Sequence, residues 1–244
     1  MHPTNAWAAF FTIPGDLLDG NRTGCAYTTV GGRFIAIGPD AKGGGNRVTL
    51  MGIYPPSSPA MMPPFREAVA RGEHAIKKFI AEQFAGAGWK TDSILTAMLD
   101  PSSAEFYANE MVQLRPPVLQ SGRVALVGDA GYASGPTGMG TSLAMAGAYV
   151  LAGEIARHPD DLGRGLEAYE ERMRPIVDKL AKIPPGIPSV LAPYTTWGLW
   201  LRNAVFAVIC RTGLLEYAQR HFAGAFASHE EHMALPEYEF RKVE

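Results

Sequence analysis

The sequence predicts a mixed protein of the α+β / α/β class, with an antiparallel sheet, then a strand-loop-helix segment, then a helical tail. Short aromatic and β-branched runs separated by turn formers fill the first third of the chain. A helical period follows them, and an apolar run bounded by glycines then leads into a helix rich in small residues. With 244 residues and 47% hydrophobic content, the chain can bury a sizeable core in one large domain or two small ones.

Four runs in the first third of the chain predict strands, because each is rich in aromatic or β-branched residues and ends at glycine or proline. The runs are residues 7–13, 25–30, 33–37 and 47–54. Their connections, such as Gly31-Gly32, are too short to hold crossover helices. The strands are therefore expected to pair antiparallel.

Further along the chain, the spacing of apolar residues predicts a single amphipathic helix over residues 65–84, with Lys77 on its polar side. A short helix at 93–98 and a strand at 106–114 are expected next. Residues 123–127 suit a strand buried on both faces. Helices are then predicted at 141–157 and 166–182, and a packed, partly amphipathic helix over the apolar stretch 197–215.

Composition narrows the classes of function. The formal net charge of -2, without a long run of one sign, argues against a nucleic-acid partner. Two distant cysteines favour neither a disulfide framework nor a zinc module, and nothing resembles a secretory signal, so a cytoplasmic location and no metal are predicted. Arg202 and Arg211 interrupt the 197–215 stretch too closely for a membrane span, and a membrane-surface or partner-facing role for that helix is the minor alternative.

The segment with the clearest chemistry covers residues 128–142. Asp129 follows the predicted buried strand, where ligands of open α/β sheets gather, and its carboxylate can accept hydrogen bonds from hydroxyls. Gly138 and Gly140 permit close backbone approach, and the helix starting at Thr141 offers unpaired N–H groups and a positive dipole end. The residues alone leave a second interpretation equally open, in which this is a glycine-rich connection whose aspartate caps a turn or the helix.

These residues also resemble a known family. Gly128-Asp129-Ala130 after an apolar strand, residues 136–140 (Pro-Thr-Gly-Met-Gly) and the helix ending at Glu154 resemble the second flavin-binding motif of the FAD-dependent aromatic-hydroxylase-like (class A flavoprotein) monooxygenases. The Gly-Met-Gly-Thr-Ser form of the loop is most similar to the branch that is related to tetracycline-degrading monooxygenases. The resemblance extends over roughly residues 5 to 185.

The resemblance implies FAD as cofactor, NAD(P)H as reductant and a small organic substrate, aromatic or polyketide-like, that receives one oxygen atom from O2. It implies that Asp129 binds the ribityl or pyrophosphate side of FAD and that Pro136 lines the flavin ring. Backbone groups around Met139 would face the pyrimidine end of the ring, and the helix at Thr141 would stabilise negative charge. The implied cofactor-binding set is Gly128, Asp129, Pro136, Gly138, Met139, Gly140 and Thr141.

The implied architecture is a partial FAD-binding (PHBH-like) fold, with a substrate-binding sheet domain at 1–115, a flavin-binding βα segment at 116–185 and a helical tail at 186–244. No catalytic side chain is assigned. Five residues of the predicted sheet region fit a substrate pocket and the core equally well by alternation alone. They are Phe11, Tyr27, Phe34, Met51 and Tyr107.

The chain departs from the family in two respects. It contains no G-x-G-x-x-G after a strand and no central Asp-Gly motif, so it resembles the C-terminal part of such a monooxygenase. Three interpretations follow: a monooxygenase polypeptide without its N-terminal half, a binding or scaffold protein that has lost redox function, and a cyclase or isomerase of a biosynthetic pathway on the remaining fold. The first is preferred, and oligomeric state is left undetermined.

Overall fold

The computed structural model of the protein describes residues 1–41, 43–100, 105–135, 139–180, 190–212 and 235–238. The chain divides into two compact units. The first, called the sheet unit here, comprises residues 5–111 and 185–207, and the second, called the helical unit, comprises residues 1–4, 112–184 and 208–244. The functional division predicted from the sequence, 1–115, 116–185 and 186–244, stays a prediction.

Five strands form the sheet on which the sheet unit is built. They are β1 (His2–Pro14), β2 (Cys25–Thr29), β3 (Arg33–Pro39), β4 (Gly45–Ile53) and β5 (Tyr107–Gln113). Their order is β2-β3-β4-β1-β5, and the pairs β2–β3, β3–β4 and β1–β4 are antiparallel. The structure therefore confirms the antiparallel sheet that the short connections predict.

One face of the sheet is covered by three helices, α1 (Met62–Ala70), α2 (Glu73–Phe84) and α3 (Thr91–Leu99). Alternate side chains of β1 point into this core, because successive strand residues face opposite sides. They include Trp7, which is fully buried and stacks on Phe65 of α1 at 5.3 Å between ring centroids. The Trp7 indole N–H donates to the Tyr54 hydroxyl at 3.1 Å.

The prediction of a single helix over residues 65–84 is wrong, because α1 and α2 are separate helices. Gly72 adopts a φ of 95° between them, a conformation that ends a right-handed helix and that glycine tolerates best. The expectation that Lys77 lies on a solvated face is also wrong. Its ammonium group pairs with Glu73 at 2.8 Å and lies 5.0 Å from the Phe106 ring centroid, so the side chain is buried with its charge compensated.

The described residues also form two short strands, β6 (Gln120–Ser121) and β7 (Val124–Ala125), a 3-10 turn at Pro59–Met61, and four helices: α4 (Asp129–Tyr132), α5 (Gly140–Arg157), α6 (Leu162–Leu180) and α7 (Thr196–Thr212). Helices α5 and α6 pack together around a core that includes Leu143, Val150 and Met173. The helices predicted at 141–157 and 166–182 are confirmed over the described residues.

The strand predicted at 123–127 differs from the one observed. Strand β7 covers two residues and pairs with β6, and the side chain of Val124 is 64% exposed. A strand is buried on both faces only where further strands and covering layers surround it. In the described part of the chain, β6 is the one strand paired with β7, so the expected double burial does not occur.

Helix α7 also differs from its prediction as a packed, partly amphipathic helix. No side chain of α7 is buried, and Trp197 and Trp200 are 68% and 64% exposed. Apolar residues occur around its whole circumference rather than in one stripe, so the helix has no single face to pack. The Arg202 guanidinium connects α7 to the preceding segment by donating to the carbonyl oxygens of Val190 and Leu191, each at 3.3 Å. Across the residues with described coordinates, no helix is long and apolar enough to cross a membrane.

The connection that leads into β6 is held by an ion pair on α6. Arg174 donates to the carbonyl oxygens of Pro116 and Pro117, each at 2.9 Å, and also pairs with Glu170. The Glu170 carboxylate accepts hydrogen bonds from the backbone N–H of Leu119 at 2.9 Å and from that of Gln120 at 3.1 Å. Burial opposes ionisation here, but the hydrogen bonds from Arg174 and the two backbone groups outweigh it and lower the pKa of Glu170.

We expect Gly52→Ala to lower the free energy of unfolding by about 1–3 kcal/mol, the usual cost of overpacking a core. A methyl group at Gly52 would overlap the indole ring of Trp7. Urea unfolding followed by tryptophan fluorescence measures the change. Gly38→Ala is the control, since no atom lies within 4 Å of the point where its methyl group would stand. Equal stabilities of the two variants would contradict the close contact.

We expect Glu170→Gln to lower the free energy of unfolding at pH 7 by about 1–2 kcal/mol, because charge-assisted hydrogen bonds are lost. Since folding lowers the pKa of Glu170, its contribution is present above the unfolded pKa and is lost as pH falls through the folded value. The stability gap between wild type and variant should therefore close as the pH falls below the ordinary range of a glutamate pKa. Glu171→Gln, whose side chain is 65% exposed, is the control and should change stability little. A gap that is constant with pH would show that Glu170 does not act through its charge.

Candidate functional site

The candidate site lies in the helical unit and begins where the chain leaves β7. The backbone N–H of Leu126 donates to the carbonyl oxygen of Leu119 at 2.8 Å, which extends the β6–β7 pairing by one bond. Gly128 is buried and turns the chain with a φ of 65°, in the left-handed region that glycine enters without strain. A methyl group there would lie 3.4 Å from the Cβ atom of Ala144 on α5, so the turn lies close against that helix.

Asp129 opens a single helical turn, α4, where the sequence predicts only a glycine-rich loop. The carbonyl oxygen of Gly128 accepts hydrogen bonds from the N–H groups of Gly131 and Tyr132 at 3.0 and 2.9 Å. Beyond the turn, the carbonyl oxygen of Ala133 accepts a hydrogen bond from the N–H of Leu114 at 2.9 Å. The segment that carries Asp129 is therefore fixed at both ends.

Tyr132 fastens this segment to α5 and α6. Its side chain is 1% exposed and lies on Gly147 of α5, where an added methyl group would overlap the tyrosine hydroxyl. That hydroxyl lies 3.4 Å from the hydroxyl of Tyr169 on α6, which donates to the carbonyl oxygen of Leu126 at 2.7 Å. Burial, followed by the neighbouring Tyr132 hydroxyl, raises the pKa of Tyr169, so it stays a protonated donor at physiological pH.

The carboxylate of Asp129 is exposed and lies beside the first residue of α5. Its Oδ1 atom is 3.9 Å from the point where a Cβ atom would stand on Gly140. Among the described residues, no hydrogen bond or ion pair involves this carboxylate, and the N-terminus of α4 has no side-chain cap. Within the described residues the Asp129 carboxylate therefore accepts no capping hydrogen bond, and its role as a ligand-binding group stays a prediction.

The N-terminus of α5 supplies the complementary charge. Met139 precedes the helix and packs on the core of the helical unit, while Gly140 is half-buried and Thr141 exposed. An α-helix leaves the N–H groups of its first turn without intrahelical partners and carries about half a positive charge there. Such an end binds phosphates, carboxylates and other anionic groups.

The predicted cofactor-binding residues fall into two groups. The structure brings Gly128 and Asp129 together with Gly140 at the start of α5, and Met139 and Thr141 are its neighbours in the chain. Pro136 and Gly138 lie outside the described residues. The role of each of these residues stays a prediction.

The second candidate surface is the face of the sheet opposite α1–α3. Phe34, Met51 and Met111 are half-buried there around Ala6 and Ile53. Towards the other end of the strands, Phe10 stacks on Tyr107 at 5.0 Å beside an open depression of about 510 Å³. The depression is lined by Phe10, Phe11, Thr12, Arg47, Val48, Thr49, Glu105, Phe106 and Tyr107. Three of these residues, Phe11, Val48 and Phe106, also belong to or pack against the core under the helices.

The five sheet-region residues that alternation left open are divided by the structure. Phe11 is 3% exposed in the core under the helices, and Tyr27 packs against the same core while its hydroxyl donates to the carbonyl oxygen of Ala87 at 3.0 Å. Phe34, Met51 and Tyr107 belong to the opposite face. The strand register therefore assigns two of the five to the core and three to the candidate surface.

The sequence patterns indicate close approach at Gly147 but do not reveal Tyr132 and Tyr169, the two tyrosines that hold the site in place. Small residues on α5 indicate close approach by some neighbour, but their sequence does not say that the neighbour is a tyrosine ring. The tyrosine pair is separated by 37 positions in the chain. No local period connects such residues, so only the packing of α4 on α5 and α6 reveals them.

No family model matches the sequence. The chain is 35% identical over 243 residues to Monooxygenase CTB7 of Cercospora beticola, which covers 98% of this chain and 55% of that protein. It is 38% identical over 109 residues to the FAD-dependent monooxygenase asL6 of Sarocladium schorii, covering 44% of this chain and 25% of that protein. The structure resembles the tetracycline destructase Tet(55) with a TM-score of 0.67 and 25% identity, covering 97% of this chain and 56% of that one.

These comparisons confirm the predicted fold class, including its partial character, since the chain spans about half the length of Monooxygenase CTB7 and of Tet(55). They also confirm FAD as the cofactor of the family that the sequence resembles. The chain therefore belongs to the FAD-dependent, aromatic-hydroxylase-like (class A) monooxygenases, and it corresponds to a part of the family's full length.

Proposed function

We propose that this chain supplies flavin-contacting and substrate-contacting surfaces of an FAD-dependent monooxygenase. The overall reaction consumes a small organic substrate R–H, O2, NAD(P)H and a proton, and yields R–OH, NAD(P)+ and water. The names of the relatives support this activity, and their greater length makes it a proposal for the chain itself. Two free cysteines, Cys25 and Cys210, agree with the proposed cytoplasmic location.

One observation carries the proposal: an exposed aspartate with no partner among the described residues lies beside the N-terminus of an 18-residue helix. FAD presents ribityl hydroxyls, which need acceptors, and an electron-rich ring edge, which needs donors or positive potential. Asp129 supplies the acceptor for the hydroxyls, and the start of α5 supplies the donors and positive potential for the ring edge. When bound, FAD would accept hydride from the nicotinamide and activate oxygen. The protein would orient the substrate and the flavin, exclude water and stabilise negative charge on the flavin ring.

The residues of the chain have separate tasks in this proposal. Asp129 accepts hydrogen bonds from hydroxyls on the ribityl or pyrophosphate side, while Gly128 and Gly140 leave room for close backbone approach. Backbone N–H groups at Met139, Gly140 and Thr141 stabilise negative charge at the pyrimidine end of the ring. Pro136 and Gly138, outside the described residues, are assigned to the ring by family resemblance.

The substrate surface is assigned to the face of the sheet opposite α1–α3, where Ala192 covers part of the cluster around Ala6 and Ile53. Phe34, Met51 and Met111 offer an apolar wall, and the Phe10–Tyr107 stack offers aromatic rings. The depression of about 510 Å³ beside that stack is within the usual range for small-molecule sites. An aromatic or polyketide-like substrate matches such a lining. Arg47, whose side chain is 63% exposed, pairs with Asp40 at 3.6 Å.

Hydrogen exchange of the purified chain with and without FAD tests the flavin contact directly, even where affinity is low. We expect FAD to protect amides in the peptides that cover residues 128–142 and to leave α1 unchanged. NAD(P)H oxidation that depends on FAD, with oxygen incorporated into an aromatic test substrate, tests the activity. A folded chain that shows no FAD-dependent protection at millimolar FAD would contradict the proposal. Protection or a raised Tm with a small organic ligand alone would favour the binding-protein interpretation.

We expect Asp129→Ala to weaken FAD binding about tenfold or more, because a hydrogen bond to a charged acceptor is worth about 1.5–3 kcal/mol and 1.4 kcal/mol is tenfold in Kd. Flavin fluorescence titration measures the change. Stability should change little, since Asp129 is exposed. Asp160→Ala, an exposed aspartate in the turn between α5 and α6, is the control. Equal affinities of the two variants would remove Asp129 from the site.

A further inference from the structure

The C-terminal half of α5 contacts a short segment of the same chain, residues 235–238 (Leu-Pro-Glu-Tyr). The surface of α5 that binds this segment is called the seat here. The ring of Tyr238 lies directly on Gly153, where an added methyl group would overlap the ring atoms. The edge of the Tyr149 ring meets the Tyr238 ring at 5.2 Å between centroids. Leu235 packs against the core of the helical unit.

The seat also recognises the backbone of this segment. The Tyr149 hydroxyl donates to the carbonyl oxygen of Pro236 at 3.1 Å. The Arg157 guanidinium donates to the carbonyl oxygen of Glu237 at 2.9 Å and lies 4.4 Å from the centroid of the Tyr238 ring. Contacts to two successive carbonyl groups together with a fitted side chain are typical of peptide recognition.

The hydroxyl of Tyr238 completes a buried charge cluster. Glu154 of α5 is 2% exposed, and its carboxylate accepts a hydrogen bond from this hydroxyl at 2.6 Å. Arg172 of α6 pairs with the same oxygen, and Arg157 lies 3.5 Å from it. Burial, followed by the bond to Glu154, raises the pKa of Tyr238, so the hydroxyl remains a donor. A buried carboxylate that loses one of its donors becomes costly, which connects this segment to the α5–α6 contact.

We propose that the face of α5 formed by Tyr149, Gly153, Glu154 and Arg157 is a peptide-binding site whose ligand is the chain's own 235–238 segment. By occupying it, the segment clamps α5 onto α6. The helix that is clamped is the one whose opposite end is the candidate flavin cradle. The proposal stands independently of flavin, because every contact that supports it lies at the other end of the helix.

Hydrogen exchange of the full chain without FAD tests the clamp. We expect Tyr238→Ala and Gly153→Ala each to speed exchange of the α5 amides at 149–157 at least fivefold, because the segment leaves its seat. Circular dichroism verifies that each variant is folded, and Tyr238→Ala keeps the test valid if Gly153→Ala fails to fold. Ala152→Ser, on the exposed side of the same turn, is the control and should leave exchange unchanged.

A synthetic peptide with the sequence of residues 233–240 (MALPEYEF) tests whether the seat binds this segment when the segment is supplied as a separate molecule. At millimolar concentration it should restore protection to Tyr238→Ala, whose seat is intact, but not to Gly153→Ala, whose seat is blocked. The same peptide with alanine in place of its tyrosine should restore neither. Unchanged exchange in Tyr238→Ala, or no rescue of that variant by the peptide, would overturn the proposal. Failure of the wild-type chain to bind FAD would sink the proposed function without affecting this result.

Discussion

Close contact between an aromatic ring and a glycine is the constraint on which much of this structure depends. It occurs at the sheet-helix core, at the candidate flavin segment and at the C-terminal segment. The three pairs are Trp7 on Gly52, Tyr132 on Gly147 and Tyr238 on Gly153. In each pair the aromatic side chain occupies the space of a missing methyl group, so one glycine fixes the position of a large side chain. The site segment is located by such a contact rather than by strand pairing, because β7 provides only two residues.

The acidic residues of the helical unit differ in whether their carboxylates have hydrogen-bond and ion-pair partners. Glu154 and Glu170 are held by arginines and by hydroxyl or backbone donors, and each connects parts of the fold. Asp129 is exposed and has no such partner among the described residues. A carboxylate that does no structural work beside a helix N-terminus is free to bind a ligand, and this contrast distinguishes the candidate residue from its acidic neighbours.

Much of the fold could be predicted, because strand and helix periods are local properties. The aromatic and β-branched run of β1 and the short turn at 31–32 were sufficient for the antiparallel sheet. The break at Gly72 is a local backbone conformation that the apolar period does not register, whereas the burial of Lys77 depends on a long-range contact with Phe106. For the site, Asp129 and the glycines came from spacing and resemblance. The tyrosine contacts that hold them came only from the structure, since they join residues 37 positions apart.

The two interior glycines of α5 also bear on how the protein assembles. Each costs an isolated helix about 1 kcal/mol relative to alanine, so α5 has a weak tendency to form on its own. Its neighbour α6 carries two glycines near its start and a proline, Pro175, in its interior, so α6 also gains little from intrinsic helix propensity. Each of the two helices therefore depends on packing against the other for its stability. The rings of Tyr132 and Tyr238, which fill the space beside the glycines of α5, help to form that helix as well as to position it.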